Sequence, residues 1–269
     1  MKFNNLEDKC LYYRGLTDYK IIGNEYMIIM LDGHTFSKKI KRKFDLPFSD
    51  DFIEIMNKTA AYVCQNIQGA KFAFVQSDEI SILVTDFDTP ETDSFFGNRL
   101  CKIQSIVASM ASTKFNQLMY LYELEHAGSL TSVETSDLID SLPLYEFDCK
   151  AWAVPNKNEV FAWFLYRQND CIKNSKQQAA QTYLSHNELM GLNSDEQIKL
   201  LEETNGIVWS LDYDAGKRNG RLIKKELVTK KNKEDGSEYY RNEWKSSPCC
   251  LLKDIWLRDS FLELIPENK

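Results

Sequence analysis

The sequence lacks any long hydrophobic run, and this absence excludes two classes of protein. No stretch of about 18 consecutive apolar residues occurs in the chain, so we expect no membrane-spanning helix. The N-terminal segment MKFNNLEDKC contains no apolar core, so we also expect no secretory signal.

Metal-binding and disulfide patterns are missing as well. The seven cysteines are scattered, none belongs to a CxxC pair, and the chain has three histidines. This composition argues against a structural zinc site. Free thiols suit a reducing compartment, and we therefore expect a cytoplasmic protein. The sequence also has no internal repeat and no Gly/Ser-rich linker.

Apolar and charged residues, in contrast, are abundant and unevenly placed. Hydrophobic residues make up 43% of the 269 residues, which suffices for one large domain or two closely packed ones. The net charge is −7, yet cations cluster at 38–43 (KKIKRK) and again at 224–233. Each cluster is either a solvated face or a patch that contacts phosphates. An acidic total does not exclude the second possibility, because the relevant field is local.

Apolar periodicity predicts strands and helices in one layered α+β fold. A buried strand is expected at 25–33 and a hairpin of two apolar strands at about 71–86. Further predictions are helices at 49–67, 95–125, 157–184 (irregular near 169–174) and 194–203, a loop with one weak helical turn over 126–144, a strand over 145–155, and β structure after Gly206 that begins with GIVWSLDY.

The hairpin FAFVQSDEISILV (72–84) has an unusual turn. Tight hairpins usually turn on glycine-containing pairs, whereas this one places Ser77, Asp78 and Glu79 at its tip. Asp32 ends the preceding predicted strand. If these strands are neighbours in one sheet, the three carboxylates converge at its edge, where their repulsion and desolvation are costly.

A divalent cation between the carboxylates would remove this cost. Mg²⁺ prefers hard oxygen ligands and shares carboxylates with substrate phosphates, and two such ions serve phosphoryl or nucleotidyl transfer. A plainer interpretation is also open: Asp-Gly is a common turn after a strand, and Ser-Asp-Glu can be a solvated hairpin tip.

Five segments in register resemble the tRNA-histidine guanylyltransferase family, the 3′–5′ RNA polymerases. They are IIMLDGHTF (28–36), FAFVQSDEISILV (72–84), NRLCKIQSIVAS (98–109), FDCK (147–150) and YRQNDC (166–171). The resemblance covers about residues 5–185. It implies an antiparallel sheet packed with helices, like a polymerase palm, over residues 1–145, and a C-terminal α/β extension over 146–269 that packs on it.

The resemblance also implies an activity and the residues that carry it. Family members activate a tRNA 5′-monophosphate with ATP or GTP, and the 3′-hydroxyl of an incoming NTP then attacks that end. Asp32, the Gly33 carbonyl and Asp78 match the positions at which the family binds two Mg²⁺ ions. Glu79 matches the family's third required carboxylate. We expect nucleotide contacts from Gly33, His34, Thr35, Phe36, Lys43, Ser77, Arg99, Lys102 and Asn174. We expect RNA contacts from Lys38, Lys39, Lys41, Arg42, Arg167, Lys173, Lys176, Lys224 and Lys225.

Several of these assignments keep a structural alternative. His34 is equally a surface histidine in a turn. Arg167 and Asp170 lie three residues apart and can form an ion pair that fixes the helix. Lys173 and Lys176 can belong to a solvated helix face.

The sequence departs from the family pattern in three places. Members that recognise tRNA-histidine carry His-Ile-Asn-Asn-Leu-Tyr-Asn after the Asp-Cys pair, whereas this chain reads CIKNSKQQ (171–178) and keeps Asn174. Met30 and Leu46 stand where the family often has Arg and Lys, and a residue of the 38–43 cluster, such as Lys43, is expected to meet the triphosphate instead. The first departure favours the branch that repairs 5′-truncated tRNAs by copying the opposite strand.

Three functions remain open at this point. The first is the Mg²⁺-dependent, template-dependent 3′–5′ polymerase, with addition of an extra guanosine to tRNA-histidine as its alternative. The second is a palm-type nucleotidyl cyclase that acts without RNA, and the third is a non-catalytic RNA-binding protein. By resemblance alone, we expect a homotetramer that binds tRNA and NTPs and contacts no membrane.

Overall fold

A six-stranded antiparallel sheet forms the centre of the computed structural model, which describes residues 3–40, 43–129, 131–232 and 236–268. The strands follow the spatial order β4-β1-β3-β2-β5-β6. They are β1 (Tyr26–Gly33), β2 (Ala70–Gln76), β3 (Glu79–Val84), β4 (Phe147–Val154), β5 (Arg221–Lys231) and β6 (Glu238–Pro248).

Helices cover both faces of the sheet. The α-helices in the described ranges are α1 (Leu6–Gly15), α2 (Phe36–Ile40), α3 (Asp50–Asn66), α4 (Leu100–Ala127), α5 (Ser132–Ser141), α6 (Lys157–Tyr183), α7 (His186–Leu189), α8 (Ser194–Asn205), α9 (Trp209–Asp212), α10 (Ala215–Asn219) and α11 (Ile255–Leu262). This arrangement confirms the predicted α+β class with an antiparallel sheet. None of the helices in the described ranges is both long and apolar enough to cross a membrane.

Successive side chains of each strand point to opposite faces of the sheet, so that a hydrophobic core forms on each side. One face packs on α3 and α4, and its core includes Ile29, Ile82 and Val107. The other face packs on α6 and α11, and its core includes Phe72 and Phe164. Because β1 and β3 are interior strands with helices on both faces, their side chains are buried on alternate sides, as in YMIIML.

Local capping explains where the main helices begin. Ser49 accepts a hydrogen bond from the Phe52 amide at the start of α3, and Asn156 does the same for the Glu159 amide at the start of α6. These side chains satisfy amides that the first helical turn leaves free. The predicted helices at 49–67, 157–184 and 194–203 are confirmed within a residue or two.

Two local predictions were wrong, and a third was incomplete. The weak helical turn expected within 126–144 belongs to the longer α5, whose N-terminus is fixed by a capping box between Thr131 and Glu134. The helix over 157–184 is continuous rather than irregular, because its buried face runs unbroken through 167–180. GIVWSLDY forms the short α9 instead of β structure, since the Asp212 carboxylate accepts from the Val208 amide at 2.7 Å and closes the turn.

The predicted boundary at residues 145/146 falls between α5 and β4. Strands from both sides of it join the same sheet: β4 pairs with β1, and β5 pairs with β2. The C-terminal part of the chain therefore extends the sheet at both edges and also contributes α6, which crosses its face.

Candidate active site

The turn between β2 and β3 consists of Ser77 and Asp78. Ser77 adopts φ = 44°, the left-handed conformation that glycine usually supplies in tight hairpins. Glu79 already belongs to β3 and lies opposite Gln76 of β2. The chain thus accepts a strained backbone at Ser77 and keeps a side chain with an oxygen at the tip.

Asp32 lies at the end of β1 between two acidic neighbours. Its Cα partner on β3 is Glu79, and its partner on β4 is Asp148. Burial raises the pKa of the Asp32 carboxyl, and the Asp148 charge adds to this increase. Lys150 and Arg167 act in the opposite direction. The surroundings of Asp32 therefore make ionisation less favourable than in water, and further positive charge would counteract this effect.

Asp78 is half-buried beside Asp32. Desolvation raises the pKa of its carboxyl to about 6, and the charges of Asp32 and Glu79 contribute in the same direction, against a hydrogen bond from the Ser77 hydroxyl. Gly33 makes this approach possible. A Cβ at position 33 would lie 2.8 Å from Asp78 Oδ2 and 2.6 Å from the Phe36 ring, so any side chain would displace one of them.

Glu79 lies close enough to Asp78 for its charge to raise the pKa of that carboxyl, and it is itself held in an ion pair. Its Oε2 accepts from the Arg167 guanidinium, and from Gln76 Nε2 at 2.9 Å. Arg167 is 5% exposed and also contacts Asp170 at 3.3 Å. The three carboxylates thus lie near one another at the ends of β1 and β3, and Glu79 differs from the other two in being paired directly with a cation from α6.

The donor set fits magnesium shared with a substrate. Asp32 and Asp78 offer hard oxygens, burial raises the pKa of both carboxyls, and a divalent cation would stabilise both ionised forms. In the described part of the chain, no three His, Cys, Asp or Glu side chains form a metal cage of their own. Mg²⁺ commonly binds through one or two carboxylates plus waters and phosphates, so this sparse set is suitable for it.

A cavity of about 540 Å³ opens beside the hairpin tip. One wall is the tip itself, residues 76–79. A second wall is apolar and comes from residues 44–53, with Phe44, Phe48 and Phe52. The third wall is the C-terminal half of α6, which presents Asn174, Gln178 and other polar side chains, and Lys217 and Arg221 complete the lining. The volume suits a nucleotide-sized ligand.

The structure brings part of the predicted nucleotide-binding set together. Phe36, Ser77 and Asn174 line the cavity, whereas His34 and Thr35 lie in an exposed turn outside it. The Lys43 ammonium is engaged in an ion pair with Glu123.

Arg99 and Lys102 lie at the opposite end of the sheet from the hairpin tip. The neighbouring Asn98 bonds Asp86, which follows the far end of β3. The six residues of β3 separate the two regions by roughly 17 Å, so within one chain these cations do not reach Asp78.

The predicted RNA-binding cations differ in availability. Lys38, Lys173 and Lys225 are exposed. Lys39, Lys176 and Lys224 form ion pairs with Glu146, Asp195 and Glu226, respectively. Lys41 and Arg42 lie outside the described residues. The expectation that Arg167 contacts RNA is corrected, because its guanidinium is buried against Glu79 and Asp170 and is unavailable at the surface. The contact with Asp170 is the intrahelical ion pair that the alternative interpretation predicted.

Sequence reasoning missed four residues near the carboxylates: Asp148, Lys150, Lys217 and Arg221. The first two belong to FDCK (147–150), a segment of the family resemblance to which no site role was assigned. The signal was their spacing, since positions 148 and 150 share a face of β4 and lie opposite Asp32 and Met30. Lys217 and Arg221 come from the last quarter of the chain, and no local pattern places them at the cavity.

Comparisons with known proteins agree with this architecture. The family model described as tRNAHis guanylyltransferase (Thg1) matches residues 11–155, more than half of the chain. An uncharacterized protein of Acanthamoeba polyphaga mimivirus is 30% identical over 236 residues, covering 84% of this chain and 78% of the relative.

Two solved structures cover nearly the whole chain. A bacterial Thg1-like protein in complex with ATP superposes with a TM-score of 0.79 at 29% identity, over 97% of this chain and 99% of that one. A GTP complex of a bacterial Thg1-like protein gives 0.74 at 29% identity, over 96% and 98%. The chain therefore belongs to the tRNA-histidine guanylyltransferase (Thg1) family, nucleotidyltransferases that add nucleotides to the 5′ end of tRNA.

Proposed function

We propose that this chain is a template-dependent 3′–5′ polymerase that restores the 5′ end of truncated tRNAs. The observation that carries the proposal is the position of CIKNSKQQ (171–178) on α6. Cys171, Asn174, Ser175, Gln177 and Gln178 line the cavity beside Asp78. The segment in which this chain departs from tRNA-histidine-specific members is therefore part of the substrate-binding wall.

The reaction has two phosphoryl-transfer steps. In the first, an oxygen of the tRNA 5′-monophosphate attacks the α-phosphorus of ATP or GTP, and pyrophosphate leaves. In the second, the 3′-hydroxyl of the next NTP attacks the activated 5′-phosphorus, and the nucleoside monophosphate leaves. Opposite-strand pairing selects the incoming NTP in the second step.

The residues of the site have distinct roles in this proposal. Asp32, the Gly33 carbonyl and Asp78 would hold two Mg²⁺ ions, which would neutralise phosphate charge and orient the attacking and leaving oxygens. Ser77 donates its hydroxyl to a phosphate. Glu79, held by Arg167, fixes the start of β3 and with it the position of Asp78.

Binding of the tRNA depends on exposed cations outside the cavity. Lys38 and Lys173 are exposed on elements that flank the cavity, and ammonium groups there can contact backbone phosphates. A homotetramer remains part of the proposal. It would allow Arg99 and Lys102 of one chain, which lie far from that chain's own carboxylates, to contact a substrate bound by a neighbour.

The test uses a 5′-truncated, 5′-monophosphorylated tRNA with ATP, GTP and Mg²⁺. We expect extension whose product follows the opposite base, and loss of extension in Asp78→Asn. Asp93→Asn is the matched control, because Asp93 is an exposed carboxylate outside the site. Absence of extension by the wild type would refute the proposal.

Two other outcomes identify the alternatives. Extension that ignores the opposite base, or that requires full-length tRNA-histidine, would favour addition of a single guanosine. Formation of a cyclic nucleotide without RNA would favour a palm-type cyclase.

A further inference from the structure

Arg221 is a buried arginine whose hydrogen bonds are incomplete. It is the first residue of β5 and is 6% exposed. Its Nε donates to Asn57 Oδ1 at 2.9 Å, and its Nη1 donates to the Gly216 carbonyl at 3.3 Å. Its Nη2 has no hydrogen-bond partner among the described residues. The same side chain lines the cavity beside the hairpin tip.

Arg221 also lacks a direct ion pair among the residues that the structure describes, although the Asp214 charge nearby favours its ionised form. Both of its partners are neutral amide oxygens, and no carboxylate in the described part of the chain forms an ion pair with it. Burial lowers the pKa of the guanidinium to about 10, so it remains charged at neutral pH. A buried cation without an anion is costly, and native structures rarely retain one without a ligand or a partner.

The other cavity-lining cation provides a contrast. Lys217 lies on the same wall, but its ammonium contacts Asp50 at 2.7 Å and Asp214 at 3.5 Å. Lys43, the cation that the sequence suggested for the triphosphate, is paired with Glu123. Of the described cations that line the cavity, Lys217 and Arg221, Arg221 is thus the one without a direct ion pair to a carboxylate.

Strand pairing places Arg221 near the end of the cavity that is formed by the hairpin tip. It lies opposite Val75 on β2, two residues before Ser77 of the hairpin tip. Its position at the start of β5 is fixed by the ladder, and Asn57 of α3 holds Nε from the other side. The guanidinium is therefore held in place through Nε and Nη1, while its buried Nη2 stays without a partner among the described residues, in a side chain that lines the cavity.

We propose that Arg221 binds a phosphate of the nucleoside triphosphate held in this cavity. This assignment rests on the proposed function for the identity of the ligand. A phosphate supplies both the missing hydrogen-bond acceptor and the missing charge, and arginine is well suited to phosphate oxygens. A base carbonyl would supply the acceptor alone. Arg221 would thus provide the charge that Met30 and Leu46 do not.

Equilibrium binding of ATP and of adenosine tests the assignment without tRNA. The variants are Arg221→Met, Arg221→Lys and, as a matched control, Arg241→Met, which removes an exposed arginine of β6. In Arg221→Met we expect ATP to bind about 10- to 100-fold more weakly, the typical loss for a charge-assisted hydrogen bond, while adenosine binding is unchanged. Arg241→Met should leave both affinities as in the wild type.

A merely structural role predicts a different pattern. A structural role would lower the melting temperature of Arg221→Met and would weaken the binding of ATP and of adenosine by the same factor. The proposal would be overturned by an equal loss of both affinities or by unchanged ATP binding. If Arg221→Met does not fold, Arg221→Lys decides: weaker ATP binding with unchanged adenosine binding supports the assignment, and unchanged ATP binding overturns it. Failure of tRNA extension with Arg221-dependent ATP binding intact would refute the polymerase and leave this site standing.

Discussion

Replacement of Asp78 with asparagine should stabilise the protein while abolishing its activity. Burial raises the pKa of this carboxyl from 3.8 to about 6. Because the folded-state value is the higher one, protonation favours folding. That contribution is complete below the unfolded-state pKa and is lost as the pH rises through about 6. At pH 7 the ionised Asp78 therefore destabilises the folded chain.

The size of the effect follows from the same shift. One pKa unit corresponds to about 1.4 kcal/mol, so the upper limit is about 3 kcal/mol. Asparagine keeps the shape of the side chain and can still accept from the Ser77 hydroxyl. We therefore expect the free energy of unfolding to rise by about 1–3 kcal/mol in EDTA at pH 7, with a melting temperature several degrees higher.

Denaturant unfolding with and without Mg²⁺ checks both parts of this reasoning. Mg²⁺ should stabilise the wild type, since it binds the folded state, and should have much less effect on Asp78→Asn. Asp93→Asn should behave as the wild type does in both conditions. The reasoning would be refuted if Asp78→Asn were less stable than the wild type in EDTA, or if Mg²⁺ stabilised both proteins equally.

Three further predictions concern the surroundings of Asp78. Arg167→Met should lower the free energy of unfolding by about 2–4 kcal/mol, because it leaves Glu79 partly buried and unpaired, and adding Glu79→Gln should recover part of the loss in urea denaturation. Gly33→Ala should reduce the rate of tRNA extension at least about tenfold, because its Cβ displaces Phe36 or Asp78, whereas Gly15→Ala, with open space around it, should not. Lys173→Glu should weaken tRNA binding and flatten its salt dependence, as seen in filter binding at several salt concentrations, without changing ATP affinity.

Local patterns in the sequence were sufficient for most elements and for the positions of Asp32 and Asp78. Asp32 and Asp78 each follow an apolar strand, and the strands are short and bounded by turn residues, so their meeting at one edge could be anticipated. α9 could not be anticipated in this way, because residues that favour β structure around Trp209 pack instead against α6 and α8.

Contacts between distant segments were beyond such reasoning. Nothing near Glu79 in the sequence indicates that Arg167, 88 positions later, neutralises it. Arg221 reaches the cavity because β5 adds to β2, a pairing that depends on the whole sheet. Arg99 and Lys102 lie far from the carboxylates of the same chain because α4 begins at the far end of β3. The apolar periodicity that predicts a helix does not tell where in space the helix begins.

The cavity draws its walls from structurally independent sources, and this has a practical consequence for redesign. The hairpin tip is positioned by backbone hydrogen bonds of the sheet, which constrain Asp32 and Asp78 together. Residues 171–182, in contrast, are successive turns of one helix, and exchanging the side chains on its cavity-facing stripe alters no strand register. Libraries confined to that stripe should therefore diversify substrate preference without disturbing the strand register that positions Asp32 and Asp78.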